Sequence, residues 1–233
     1  MSRYNTTLNQ TEFYNGTYWF SSNAIVQSGL VCNLDAGNPY SYPGSGNTWT
    51  DLTTNGNNGF LTNGPTYTSN NAGGIVFDGS DDYVGITSVL LSGSDNFTIN
   101  LWIQCNPNEN VGTIFGNYPA GNLQIFYGTG VMGMWLNNNS TYVDAPIPFS
   151  SSPVMITAIR SGTTTYFYQN ANLLKTGSSS ASIGTTNNFR LGENTATTEE
   201  YTGTIFVLQV YNRALTVEEI QQNFNALRGR YRV

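Results

Sequence analysis

The chain has no histidine, and only 9% of its 233 residues are charged, against about 25% in an average soluble protein. Without imidazole there is no Ser-His-Asp triad, no His-ligated zinc and no general base of the commonest kind. Eight Lys and Arg face fourteen Asp and Glu, for a net charge of −6. That balance excludes a nucleic-acid surface, which needs clustered cations to meet phosphate. No run reaches the ~20 apolar residues of a membrane-spanning helix. Residues 1–24 lack a signal-peptide core, so export by the general secretory route is not expected. The two cysteines, Cys32 and Cys105, allow one disulfide at most. Each sits in an apolar strand pattern and reads as a small buried hydrophobe.

The polar surface is built instead from Asn, Thr, Ser, Gly and Tyr, neutral hydrogen-bonding groups suited to sugars or to neighbouring subunits. Residues 1–28 read as an N-terminal arm. Tyr14, Tyr18, Trp19 and Phe20 in it need burial, either on a docking partner or along the edge of the domain that follows. Arg213, Arg228, Arg230 and Arg232 crowd the last 21 positions. They either complement a helix C-terminus or meet an acidic neighbour.

Residues 29–233 form one domain, since β-sandwiches of this length are often undivided. Gly, Asn and Pro dominate 38–64, which predicts long turns and short strand pieces. Strands are predicted near 74–78, 82–87, 97–104, 112–117, 122–128, 131–137, 153–160, 164–169, 172–175, 187–192 and 203–212. Phe97, Ile99, Leu101 and Ile103 alternate with Thr98, Asn100, Trp102 and Gln104, the pattern of a half-buried antiparallel strand. In 203–211, Ile205, Val207, Gln209 and Tyr211 fall on one face, and Phe206, Leu208 and Val210 on the other. A strand apolar on both faces belongs in mid-sheet with something packed on each side. A helix follows directly. Thr216 caps it, Glu219 completes a capping box, Val217, Ile220, Phe224 and Leu227 make its stripe, and Gly229 stops it. The fold class is all-β: an antiparallel two-sheet sandwich with one short C-terminal helix and an extended N-terminal arm.

Five segments in order carry a family pattern: Gly29–Gly37, Trp49–Leu52 with Asn55–Gly59, Phe77–Val84, Phe97–Trp102, and Gly203–Ile220. The series resembles the laminin-G-like, concanavalin A-type jelly-roll lectin domain over about residues 29–228. The variant is similar to those of bacteriophage and other viral structural proteins. The resemblance implies a capsid decoration or tail-fibre module on the virion surface, contacting other virion proteins and host-surface glycans, as a homo-oligomer on the particle. It also implies Ca²⁺ at one edge, for which Asp78, Asp81 and Asp82 are the candidate ligands, with Asp35, Asp51, Glu193 and Asn194 in reach. The alternative for Asp78 and Asp81 is a turn-shaping role. Many relatives carry an acidic pair after the Gly-x-Ile of the last strand, where this chain has Phe206 and Val207. That removes a ligand.

Glucanases on such folds need two carboxylates about 5–9 Å apart. Glu199-Glu200, Glu218-Glu219 and Asp81-Asp82 are adjacent pairs, unsuited to one strand face. The expectation is therefore a non-enzyme. A stand-alone calcium-dependent lectin is the alternative, and a glucanase-like hydrolase the remote one. Tyr42, Tyr118 and Tyr142 are the candidates to stack on sugar rings, with Tyr40, Trp49 and Trp135 behind them.

Overall fold

A computed structural model describes residues 2–5, 10–14, 19–21, 24–88, 90–92, 96–105, 111–117, 123–128, 130–136, 141–146, 152–181, 183, 185–196 and 199–233. Two antiparallel sheets of eight strands each lie face to face. The first sheet runs Asn172–Ser178, Thr164–Gln169, Val154–Ser161, Asn96–Cys105, Thr202–Tyr211, Gly74–Asp78 and Thr66–Thr68. Its eighth strand, Leu30–Asp35, shares the edge of Thr202–Tyr211 with Gly74–Asp78. The second runs Thr141–Pro146, Val131–Leu136, Leu123–Gly128, Gly112–Gly116, Phe189–Leu191, Tyr83–Ile86, Gly59–Thr62 and Thr48–Trp49. Leu91–Ser92 and Thr185–Thr186 add a two-stranded ladder. The predicted sandwich is there. Strand Thr141–Pro146 was not foreseen, because its sequence, TYVDAP, ends in proline and has only Tyr142 and Val143 as strong strand formers.

Both cysteines are free and buried. They belong to the core between the sheets, which includes Trp49, Phe77 and Phe97 and in which Phe115 stacks on Phe189 at 4.9 Å. Strands Thr164–Gln169 and Asn172–Ser178 are joined by a hairpin, with Asn170 and Ala171 both at positive φ, the geometry of a two-residue turn that matches strand twist. The described parts of the arm are β-structured rather than a plain extension: Ser2–Asn5, Gln10–Tyr14 and Trp19–Ser21 pair antiparallel in that order.

Thr202–Tyr211 lies mid-sheet, buried on both sides, but its alternation is broken. Trp102 pairs with Val207 and Ile103 with Ile205, leaving Phe206 as the extra residue of a β-bulge. Ile205 therefore joins Leu208 and Val210 in the inter-sheet core, while Phe206, Val207 and Tyr211 face the helix. A bulge shifts the period-2 pattern by one, which is why the face assignment of Ile205 with Val207 and of Phe206 with Leu208 is corrected here. Asn96–Cys105 is likewise buried on both faces, not one: the helix covers Trp102, and Thr98 Oγ1 donates to Arg213 O and accepts from the Leu215 N–H in the segment leading to the helix.

The helix, Val217–Tyr231, carries the predicted capping box. Thr216 Oγ1 accepts from the Glu219 N–H at 3.3 Å, and the Thr216 N–H donates to Glu219 Oε2 at 2.9 Å. Arg213 grips the same carboxylate with two bonds of 2.7 Å. Ile220 and Phe224 are buried, but Val217 is 55% exposed. Gly229 does not stop the helix, which continues to Tyr231 and ends on left-handed Arg232. The last turn is held by packing: Trp102 stacks on Phe224 (5.8 Å) and Tyr231 (4.3 Å). Asn223 sits at 0% exposure, accepting from the Val26 N–H at 2.8 Å and donating to Tyr211 Oη at 3.0 Å. Tyr211 Oη in turn donates to Val26 O at 3.1 Å. Residues 24–28 are thus fastened to the helix, so the domain begins a few residues before Gly29.

Asn223→Leu should destabilise the fold by roughly 1–3 kcal/mol, since it strands the buried Val26 N–H and removes the donor to Tyr211 Oη; urea denaturation reads this. The Arg213 bonds hold the Glu219 carboxyl below its ordinary pKa. A depressed carboxylate stabilises above its unfolded value and loses that contribution as pH falls through the folded one. Stability should therefore drop on acidification below about pH 4.5, and Glu219→Gln should flatten that part of the profile.

Candidate functional site

The end of the sandwich where Gly74–Asp78 turns into Tyr83–Ile86 holds the acidic residues picked from the sequence. In FDGSDDYV the chain reverses through Gly79 at φ +81°, where a Cβ would meet Thr202 Oγ1 at 2.0 Å. Asp78 Oδ1 accepts the Ser80 N–H at 2.9 Å, and Asp82 Oδ2 accepts the Asp78 N–H at 3.1 Å. The turn-shaping role is thus real. The same turn brings one carboxylate oxygen each from Asp78, Asp81 and Asp82 within 4.8 Å of one another. Asp78 and Asp81 are exposed and Asp82 is buried. Burial raises the Asp82 pKa most; the Asp78 N–H pulls it back, and the Asp78 and Asp81 charges push it up again.

These oxygens fit a hard cation such as Ca²⁺, which takes carboxylate oxygens and completes its shell with water. Asp78, Asp81 and Asp82 would hold it, and it would supply positive charge at an otherwise acidic rim. The other acids have different duties. Asp35 pairs with Arg230 at 2.6 and 2.9 Å. Asp51 organises the 51–58 loop, accepting from the N–H groups of Asn33, Thr53 and Asn57. Glu193, 1% exposed, bonds Arg190 at 2.5 Å, and Asn194 Oδ1 accepts the Ala196 N–H. Burial lifts the Glu193 pKa against the pull of Arg190, with Glu200 and Asp81 adding to the rise. Glu193 therefore feels the rim without belonging to the cluster. Phe206 and Val207, where an acidic pair was absent from the sequence, pack beneath the helix.

The aromatic candidates fare differently. Tyr42 is 4% exposed and its hydroxyl donates to Gly46 O at 2.7 Å, so its ring offers no face to a sugar. The 38–46 loop folds back over it. Trp49 is fully buried, whereas Tyr40 is 86% exposed. Trp135 is half-buried against Phe126 at 4.6 Å. Tyr118 and Tyr18 lie outside the described residues. Tyr142, Tyr14, Trp19 and Phe20 are described by backbone position alone, with Tyr14 opposite Trp19 and Trp135 opposite Tyr142 in register. Sequence reasoning missed Tyr83, which carries the Arg190 guanidinium 4.1 Å above its ring beside the acidic turn. Its position three residues before Ile86 gives no signal of that pairing.

The acidic turn and most strands of the sandwich lie in a segment with a family counterpart. Residues 78–221 match the model of the concanavalin A-like lectin/glucanases superfamily. The chain belongs to that superfamily. No curated protein matches it in sequence. Among solved structures, domain 4 of an extracellular arabinanase from Geobacillus stearothermophilus superposes with TM-score 0.66 at 18% identity, covering 85% of this chain and 99% of that one. That domain was solved in complex with arabinotriose. The binding domain of Paraclostridial Mosquitocidal Protein 1 gives 0.67 at 16% identity, covering 85% and 52%. A Trypanosoma rangeli sialidase gives 0.63 at 15%, covering 88% and 34%. The chain thus spans about half of the toxin domain and a third of the sialidase. Concanavalin A-like relatives of this kind include binding domains and parts of glycosidases, and at these identities the likeness is one of fold.

Removing one charge from the rim should relieve repulsion on buried Asp82. Without divalent cations, Asp81→Asn should raise the melting temperature by roughly 1–2 °C, read by scanning calorimetry in EDTA.

Proposed function

We propose that this chain is a non-catalytic, lectin-like module that binds glycans at the Asp78–Asp82 end of its sandwich, with Ca²⁺ held by Asp78, Asp81 and Asp82. The observation that carries the reading is the convergence of three carboxylate oxygens on a solvent-facing turn, in a superfamily of lectins and glucanases. A non-catalytic role is supported by how the remaining acids are used. Glu193 is buried against Arg190, and Glu199 accepts from Gln124 and Thr113. A general acid must reach a glycosidic oxygen, and these groups are committed elsewhere.

Display on a virus particle, as a capsid decoration or tail-fibre module, goes with this reading. The weakly charged surface and the separate three-stranded sheet over residues 2–21 support it: the first suits dense packing of copies, and the second offers a docking element. Weak sites repeated by particle symmetry would combine through avidity.

Ca²⁺ at millimolar concentration should raise the melting temperature by a few degrees, an effect absent from Asp78→Asn/Asp81→Asn. A glycan array run with Ca²⁺ and with EDTA should show Ca²⁺-dependent retention. Retention on no glycan, or hydrolysis of a bound polysaccharide, would defeat the binding-module reading. Deleting residues 1–23 should abolish incorporation into particles while leaving the domain folded.

A further inference from the structure

A groove of about 840 Å³ lies on the outer face of the first sheet, beside the end of the helix. Its volume suits a small ligand or a short saccharide. Three neighbouring strands make the floor: Gln104 pairs with Thr204, and Thr204 with Val76. The turn at Asn70–Ala72 and the helix end, with Tyr231 and Arg232, line it together with Ser152 and Pro153. The lining is rich in neutral amide and hydroxyl groups: Thr68, Asn70, Asn71, Gln104 and Thr204. These are the donors and acceptors that sugar hydroxyls need.

The charges of the lining set the groove apart. The chain has fourteen acids and eight bases, yet the lining contains two arginines and no carboxylate side chain. Arg230 is already matched by Asp35 through two bonds. Arg232 is exposed and has no acidic partner among the described residues. It is held at the lip by the left-handed turn that ends the helix, with φ 59°. A guanidinium so placed favours a carboxylate, which it can meet with two parallel hydrogen bonds.

We propose that this groove is a second binding site, taking a saccharide that bears a carboxylate. The acid group sits on Arg232, and the sugar hydroxyls on Thr204, Gln104 and Asn71. The site is separate from the rim carboxylates and requires no metal.

The test is calorimetric titration of the full chain with a galacturonate tetramer, a neutral arabinan tetramer and a sulfated chondroitin tetramer, each with and without EDTA. The galacturonate should bind at least about tenfold more tightly than the neutral probe and should weaken as salt rises. EDTA should change its affinity by no more than about threefold. Arg232→Gln should weaken it about tenfold, and Gln104→Leu about threefold or more, with melting temperatures unchanged because both side chains are solvent-facing. Equal affinity for the neutral probe, preference for the sulfated probe alone, or full retention by Arg232→Gln would each overturn the proposal. Loss of galacturonate binding in EDTA would assign that binding to the rim instead. Failure of Ca²⁺ to stabilise the protein would sink the rim reading and leave the groove standing.

Discussion

Burial of Thr202–Tyr211 on both faces is the constraint on which the molecule depends. A sheet strand has two sides, and here each side belongs to a different core. The bulge at Phe206 makes this arrangement possible. One extra residue lets Phe206 and Val207 both turn toward the helix while Ile205 and Leu208 stay between the sheets. At the same point the strand's edge passes from Gly74–Asp78 to Leu30–Asp35, and the Ala36 N–H donates to Phe206 O at 2.9 Å. The bulge therefore also marks where two short strands replace one long partner. The helix must follow directly, because the aromatic face exposed by the bulge has to be covered.

This explains what was legible in the sequence. The positions of the long strands and the Thr-x-x-Glu cap are local signals, and the structure has both. The bulge is not local. Phe206 becomes the extra residue only because Trp102 and Ile103 on another strand set the register, so alternation alone assigned Ile205 to the wrong face. The helix end was misread for a related reason. Gly229 is a good stop signal, but stacking of Tyr231 on Trp102 outweighs it. Propensity yields to a buried aromatic contact of this size.

The site was legible in composition more than in geometry. With so few charged residues, almost every one has a partner to account for. Asp35, Glu193 and Glu219 are paired with Arg230, Arg190 and Arg213, and Asp51 ties a loop. Among the charges with no ion-pair partner in the described residues, the Asp78–Asp82 turn and Arg232 are the ones that stand at a candidate site. Sequence spacing marked the first because three acids within five residues stand out. It read Arg232 only as one of four terminal cations, since its isolation depends on Asp35 claiming Arg230 from 195 positions away.

The acidic turn lies close to the groove floor along one pair of strands. Asp78 pairs with Thr202 at the rim, and two residues further in, Val76 pairs with Thr204 on the groove floor. Residues two apart share a strand face and lie about 7 Å apart. Asp78 therefore lies outside the lining but one step from its floor, where its negative charge still opposes a carboxylated ligand. A cation held by the rim carboxylates would cancel that opposition without touching the ligand. By linkage the ligand would then favour the cation to the same degree. At that spacing screening by salt is incomplete, so the coupling is modest rather than zero. Phe206, the extra residue of the bulge, also lines the groove. The bulge that lets the helix cover the sheet therefore also shapes the groove beside it.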